Sequence, residues 1–219
     1  MIWMDFRGGM CAIFGSCLLR GFAREREEEA MRLERRSPHE RATMRARLNR
    51  LLFSLALVTG AQCASPQDDW TDLITPGSLV GWHTAPGGSW EWRGDVLVGR
   101  SAKSEKRHGL LISDARYQDF EVRFEFRTLS GCSGFYFRVD ETGQSTGVAG
   151  FQAEIDPSYE TGGLYETGGR GWVSKPDPKE NKKWYMPREW NEMVLSARGH
   201  RIVVIINGHR ITELRNDTR

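Results

Sequence analysis

Residues 120–128 constrain the fold more than any other stretch, because apolar and charged side chains alternate along them without interruption. The stretch reads F-E-V-R-F-E-F-R-T. Its three phenylalanines and its valine therefore point to one side, and four charged residues point to the other. Such alternation is typical of a β-strand that buries one face. Several strands of this kind bury their apolar faces by stacking two sheets, so the sequence predicts an all-β sandwich.

Other short stretches repeat this pattern between turns rich in Gly, Pro and Asp. They are residues 133–139, 151–155, 190–197 and 200–206. A Gly94-Asp95 turn closes a hairpin, and Asn207-Gly208 forms a second tight turn, because Gly and Asn tolerate the positive φ that such turns require. No convincing helix of ten or more residues appears after residue 64. The pattern therefore predicts a domain built from antiparallel strands.

A leader precedes the predicted sandwich. Residues 44–50 are basic, residues 51–58 (LLFSLALV) form an apolar run of eight, and small residues then lead to a cleavage point after Cys63. This order is typical of a secretory signal peptide, which we place at 44–63, and it predicts a periplasmic or extracellular protein. Lipidation at Cys63 is less favoured. Residues 1–43 would leave the signal internal, so we interpret them as a doubtful extension, or else as a solvated charged helix.

The charge of the chain is concentrated in this leader. Residues 1–63 carry 11 Arg, no Lys and 7 acidic residues, whereas residues 64–219 carry 20 basic and 22 acidic residues. The mature part lacks the basic excess of a nucleic-acid-binding surface, and we expect no nucleic acid and no integral membrane segment. Cys132 is its single cysteine, so the core must stabilise the fold without an intrachain disulfide.

Two of the predicted strands bring polar side chains to the face away from the core. One turns Tyr136 and Arg138 outward, and the other turns Gln152 and Glu154 outward. If these strands pair, the four side chains form one patch whose aromatic, amide, carboxylate and guanidinium groups suit a hydroxyl-rich ligand. The alternative is a solvated outer face with one Arg–Glu pair.

Five motifs in order give the chain a family resemblance. They are residues 109–127 (GLLISDARYQDFEVRFEFR), 132–138 (CSGFYFR), 150–156 (GFQAEID), 162–166 (GGLYE), and 189–193 (EWNEM) followed by 206–208 (ING). Together they resemble the 3-keto-disaccharide hydrolase domains (DUF1080), also described as 3-keto-glucoside lyase/hydratase domains. The resemblance implies a concanavalin/LamG-like jelly roll over residues 68–219. Cys132 stands where the family usually has Asn, and the expected last C-terminal strand is missing.

The resemblance also implies roles for the loop of residues 159–173. Its Tyr165, Glu166 and Arg170 match the L-Y-[DE] motif and the following Arg, so we expect them at the rim of a ligand site. Glycines alone do not make this loop a phosphate site, because no helix follows it.

The family's chemistry suggests how these residues would act. A ketone at C3 of a sugar acidifies the proton at C2, so a base can remove that proton and expel the C1 substituent. We assign Glu154 as base, Tyr165 or Glu166 as acid and Arg138 as the group that polarises the carbonyl. Tyr136, Gln152 and Arg170 bind the sugar.

Other chemistries remain open. His83 and His108 are alternative bases. A retaining glycosidase with paired acids on one strand is disfavoured, because Ser158 stands where a further acid would be needed after Glu154 and Asp156. We predict no cofactor, and no cluster has metal-ligand spacing in sequence, although distant loops can assemble one.

We therefore expect an exported domain that acts on a small carbohydrate, an oxidised (3-keto) disaccharide or glycoside, as a hydrolase or lyase. The alternative is a non-catalytic carbohydrate-binding module on the same fold. An enzyme needs a cleft that holds Glu154 near an acid and Arg138, whereas a binding module shows a shallow aromatic surface.

Overall fold

The alternating stretches form strands in the computed structural model, which describes residues 3–7, 10–20 and 70–215. The strands are β1 Trp3–Arg7, β2 Met10–Arg20, β3 Thr71–Asp72, β4 Trp82–Thr84, β5 Ser89–Arg93, β6 Val96–Arg100, β7 Leu111–Arg116, β8 Asp119–Glu141, β9 Val148–Ile155, β10 Leu164–Thr167, β11 Gly171–Ser174, β12 Asn191–Arg198, β13 Arg201–Ile206 and β14 His209–Leu214. One short helix, α1 (Pro178–Asn181), interrupts them.

The N-terminal strands β1 and β2 are antiparallel partners of β8. The backbone of these two strands therefore belongs to the sheet, whereas the sequence predicts a domain that begins only at residue 68. The predicted signal peptide, 44–63, lies outside the described residues, so its boundaries stay predictions.

The long strand β8 passes from one layer of the sandwich to the other. Its first half pairs with β12, which continues to β13 and β14, and its second half pairs with β9, which continues to β10 and β11. The phenylalanines of the two halves then face each other. The ring centroids of Phe124 and Phe135 are 5.3 Å apart, and those of Phe120 and Phe137 are 5.9 Å apart. The predicted all-β sandwich is confirmed.

Aromatic side chains fill the space between these layers. The apolar faces of β8, β9, β12 and β13 contribute most residues of the main core, and six of its phenylalanines are at most 2 % exposed. They are Phe120, Phe124, Phe126, Phe135, Phe137 and Phe151. Burying so much aromatic surface stabilises the fold.

Turns and termini follow the local chemistry of the sequence. Asn207 and Gly208 have φ angles of 50° and 80°, as the predicted tight turn requires. In α1, the Asp177 side chain caps the helix by accepting from the Lys179 backbone N–H.

No helix within the described ranges is long and apolar enough to cross a membrane.

Candidate functional site

Four side chains from neighbouring strands form a row on the face of the β8–β11 sheet that points away from the main core. Tyr136 pairs with Gln152, Gln152 with Tyr165, and Tyr165 with Trp172. Residues that pair across antiparallel strands project to the same face. The Tyr165 and Trp172 rings also meet edge to face, 5.4 Å between centroids. We call these four residues the aromatic–amide row. The predicted pairing of the Tyr136 and Gln152 strands therefore occurs.

Exposure increases along this row. Tyr136 and Gln152 are only 1 % and 6 % exposed, Tyr165 is half-buried, and Trp172 is 36 % exposed. Burial also raises the pKa of Tyr136, which therefore stays a neutral phenol. The accessible part of the row is thus its Tyr165–Trp172 end.

Two glycines make room for the row. At Gly134, a Cβ atom would lie 2.6 Å from the Gln152 amide nitrogen, which folds over this glycine and donates to the Ser133 carbonyl at 3.1 Å. At Gly163, a Cβ atom would lie 2.5 Å from the Trp172 ring. Both side chains lie flat on the sheet because these positions carry no side chain.

Glu154 projects from β9 on the same face, two residues after Gln152. Burial raises its pKa to about 8, and the negative charges of Asp156 and Glu160 add to the shift. No ion pair with Glu154 occurs in the part of the chain that the structure describes. A half-buried carboxyl with acidic neighbours and a strongly shifted pKa is typical of a functional position.

Asp156, by contrast, is held by local hydrogen bonds. Its carboxylate accepts from the Ser158 backbone N–H at 2.8 Å and from the Ser158 hydroxyl at 2.7 Å. The Thr161 hydroxyl also donates to it, at 3.3 Å. Asp156 therefore shapes the 156–161 turn and holds its carboxyl group beside Glu154.

Cys132 completes a group of possible metal ligands. Donor atoms of Cys132, Glu154 and Asp156 all lie within 4.8 Å of one another. Partial burial raises the pKa of the Cys132 thiol, and the neighbouring carboxylates raise it further. Metal binding needs the deprotonated thiolate and carboxylate, so a metal here would have to displace two protons. The spacing fits a cation, and a bound cation would offset the mutual repulsion of the carboxylates that contributes to these raised pKa values.

Arg138 lies apart from this group because a β-bulge redirects its side chain. Its φ is +50°, and the register between β8 and β9 shifts after Phe137. The guanidinium donates to the Gln118 carbonyl at 3.3 Å and lies 3.4 Å from Asp119. Val139 takes the position beside Tyr136 that regular alternation would give to Arg138. The structure therefore does not bring Arg138 together with Glu154.

Glu166 and Arg170 lie on the opposite face of the sheet. Glu166 pairs with Phe151 across β10 and β9, and it is 5 % exposed. Arg170 forms an ion pair with Glu166, and its guanidinium carbon lies 5.9 Å from the Phe151 ring centroid. This pair closes the edge of the core. Of the two predicted acids, Tyr165 is the one on the face of Glu154.

The two candidate histidines have different surroundings. His83, in β4, lies between two carboxylates, with Nδ1 2.6 Å from Asp114 and Nε2 3.2 Å from Glu141. The hydrogen bond to Asp114 is the largest cause of its raised pKa. Burial instead lowers the pKa of His108. None of the charges acting on Glu154 comes from either histidine.

An ion pair that the sequence pattern does not predict lies beside the site. The Lys175 ammonium lies 2.6 Å from Glu160 Oε1 and 5.0 Å from the Trp172 ring centroid. Both residues lie outside the strands that the alternation of apolar and polar residues predicts. Only the hairpin of β10 and β11, which folds within the predicted loop, brings them together.

The fold and this face define an antiparallel β-sandwich with a carboxyl group and aromatic rings on one sheet. The sequence profile of the 3-keto-alpha-glucoside-1,2-lyase-like domain matches residues 69–219, and the chain belongs to this family. The predicted family is therefore confirmed. A search of the curated proteins finds no match.

Proposed function

We propose that this domain is a carbohydrate-active enzyme that cleaves glycosides carrying a ketone at C3, by elimination. The observation that carries the proposal is Glu154, a half-buried carboxyl with a pKa of about 8 on a face lined by aromatic rings. Elimination from such a sugar begins with removal of the C2 proton. A base whose pKa is close to the working pH performs this step best.

Each residue of the accessible face has a role in this reaction. The Glu154 carboxylate takes the C2 proton, and the electron pair of the C2–H bond forms an enolate with C3. The enolate then expels the C1 oxygen, which takes a proton from the Tyr165 hydroxyl. The products are an alcohol and a sugar enone with a C1–C2 double bond. Trp172 stacks on the sugar ring, because flat aromatic rings cover the C–H faces of sugars.

A carbohydrate-binding module is the second candidate, and the exposed end of the aromatic–amide row favours it. Trp172 and Tyr165 form an edge-to-face pair at the surface, as a binding platform would. A binding module has no use for a carboxyl with a strongly raised pKa. The two functions therefore differ in whether Glu154 is needed for turnover.

The test is to incubate the full chain with a 3-keto-disaccharide and, in parallel, with the unoxidised disaccharide. We expect release of the monosaccharide leaving group from the oxidised sugar alone. In Glu154→Gln we expect the rate to fall by about 100-fold or more. Binding without any product would overturn the enzyme proposal and support the binding module. Release from both sugars would instead indicate an ordinary glycosidase.

We also propose that the domain works outside the cytoplasm, with residues 44–63 as its signal peptide. Cell fractionation and N-terminal sequencing of the exported protein test this. We expect a mature chain that begins at Ala64 and therefore lacks β1 and β2. Retention in the cytoplasm of the intact chain, with β1 and β2 paired to β8, would contradict this proposal.

A further inference from the structure

The proposed reaction puts negative charge on the ketone oxygen, so it needs a cation or a strong hydrogen-bond donor at that atom. Arg138, predicted for this role, instead contacts Gln118 and Asp119. Arg170 pairs with Glu166 on the opposite face. Neither arginine therefore serves as this donor, and in the described part of the chain Lys175 is a cation beside the aromatic face.

The backbone of Lys175 is held close to Glu154. The Glu154 backbone N–H donates to the Gly163 carbonyl at 2.9 Å. The buried Pro176 packs so tightly on Gly163 that a Cβ atom there would lie 3.0 Å from the proline Cδ. Lys175 thus lies between β11 and a proline that packs on Gly163, the residue whose carbonyl accepts from the Glu154 backbone N–H.

The side chain of Lys175 lies along the accessible end of the site. Its ammonium is 5.0 Å from the Trp172 ring centroid and 2.6 Å from Glu160 Oε1. Trp172 belongs to the aromatic–amide row, and Glu160 is one of the two acids whose charge acts on Glu154. The ammonium therefore lies beside Trp172, at the accessible end of the row, and beside one of the two acids whose charge acts on Glu154.

The ion pair with Glu160 leaves the ammonium available. The side chains of Lys175 and Glu160 are 46 % and 35 % exposed. An ion pair this exposed contributes little to stability, so exchanging it for a substrate oxygen costs little. Lysine also has three N–H donors on a flexible stem, which lets it contact Glu160 and a ligand together.

We propose that Lys175 is a catalytic residue that donates to the C3 ketone oxygen of the substrate, an inference that rests on the proposed function. As Glu154 takes the C2 proton, the electron pair of the C2–H bond moves to form the enolate, and its charge on the C3 oxygen faces the Lys175 ammonium. When the C1–O bond breaks, the ketone is restored, and Tyr165 gives its proton to the departing oxygen. Lys175 itself keeps all its protons, and Glu160 positions it between turnovers.

The test compares Lys175→Met with Lys175→Arg in the full chain acting on a 3-keto-disaccharide. Methionine keeps an apolar stem beside Trp172 but removes the charge, so we expect kcat to fall about 100- to 1,000-fold. Arginine keeps the charge and should retain kcat within about tenfold. The rate at which the C2 hydrogen exchanges in deuterated water reports enolate formation, and it should rank the same variants in the same order. Lys103→Met, at an exposed lysine in another loop, is the matched control.

The outcomes separate the two proposals. If the wild-type chain is active and Lys175→Met has the same kcat, the role of Lys175 is overturned and the proposed function stands. An equal loss in the Met and Arg variants also overturns it, because the charge would then not be what matters. No product from the wild-type chain overturns both. Circular dichroism of each variant shows whether the fold is kept, and the Arg variant decides the question if Met unfolds.

Discussion

Glu154 and Asp156 are two carboxyl groups at the end of one strand, and their surroundings give them opposite properties. Asp156 receives hydrogen bonds from Ser158 and Thr161, which stabilise its negative charge. Glu154 is half-buried beside Asp156, and its burial, together with the neighbouring acids, opposes its ionisation. One carboxyl thus builds the turn while the other holds a proton near neutral pH, a division of roles that suits acid–base chemistry.

The raised pKa of Glu154 predicts a pH-dependent stability. Its pKa rises from 4.5 to about 8 on folding, so the folded state binds more protons than the unfolded state between these values. The contribution of Glu154 to stability is therefore present below about pH 4.5 and is lost as the pH rises through about 8. We expect Glu154→Gln to raise the free energy of unfolding at pH 9 by about 1 to 3 kcal/mol and to change it little at pH 4.

Urea unfolding at the two pH values measures this difference. Glu189→Gln, at an exposed glutamate, is the matched control and should change the stability little at either pH. An equal effect of Glu154→Gln at pH 4 and pH 9 would show that charge burial is not its cause.

At the scale of elements, the hairpin of β10 and β11 positions Trp172 over Gly163. In Gly163→Ala the new Cβ atom would lie 2.5 Å from the Trp172 ring, so the ring must move off the sheet. We expect KM for the 3-keto-disaccharide to rise about tenfold or more while the β-sandwich persists, measured by steady-state kinetics and circular dichroism. Gly143→Ala is the control, because a Cβ atom at Gly143 meets no heavy atom within 4 Å. Unchanged KM in Gly163→Ala would show that Trp172 does not hold the sugar.

The edge strand β4 depends on the protonation of His83. Its two nitrogens face Asp114 on β7 and Glu141 at the end of β8, at 2.6 Å and 3.2 Å. A neutral imidazole has one N–H, whereas carboxylates only accept, so both contacts are hydrogen bonds only in the charged form. The pKa of His83 is raised above 6.5, so its contribution is present below about pH 6.5 and is lost as the pH rises through the raised value.

We therefore expect amide exchange in β4 to accelerate between pH 6 and pH 9, beyond the intrinsic pH dependence of exchange. His83→Gln should remove this extra acceleration and cost about 1 kcal/mol or less at pH 6, because the group is exposed. Asp114→Asn should lower the pKa of His83 in an NMR titration, whereas Asp95→Asn, in an exposed turn, should not. A pKa of His83 near 6.5 would contradict a stabilising role for its contacts with Asp114 and Glu141.

At the scale of the whole molecule, period-two alternation predicts β8, β9, β12 and β13, because it depends on neighbouring residues alone. The bulge at Arg138 broke the same rule, since a single residue with φ of +50° reverses the faces that follow it. The alternation of its strand predicts Glu154 as a site residue. Its raised pKa depends on burial and on the 156–161 turn, which brings Asp156 and Glu160 close to it. Lys175 was missed for a similar reason, because only the β10–β11 hairpin brings it to the site.

The two layers of the sandwich depend on contacts between the two halves of β8. Phe124 from the first half stacks on Phe135 from the second, with centroids 5.3 Å apart, and both are 1 % exposed. Phe135→Ala leaves a ring-sized cavity between the layers, so we expect the free energy of unfolding to fall by about 3 to 5 kcal/mol. Leu129→Ala, at a residue 54 % exposed in the bend between the halves, should cost well under 1 kcal/mol. Because Phe135 adjoins Gly134 and Tyr136, a loss of this size with the pKa of Glu154 unchanged would mean that the core holds the layers together without setting the geometry of the site.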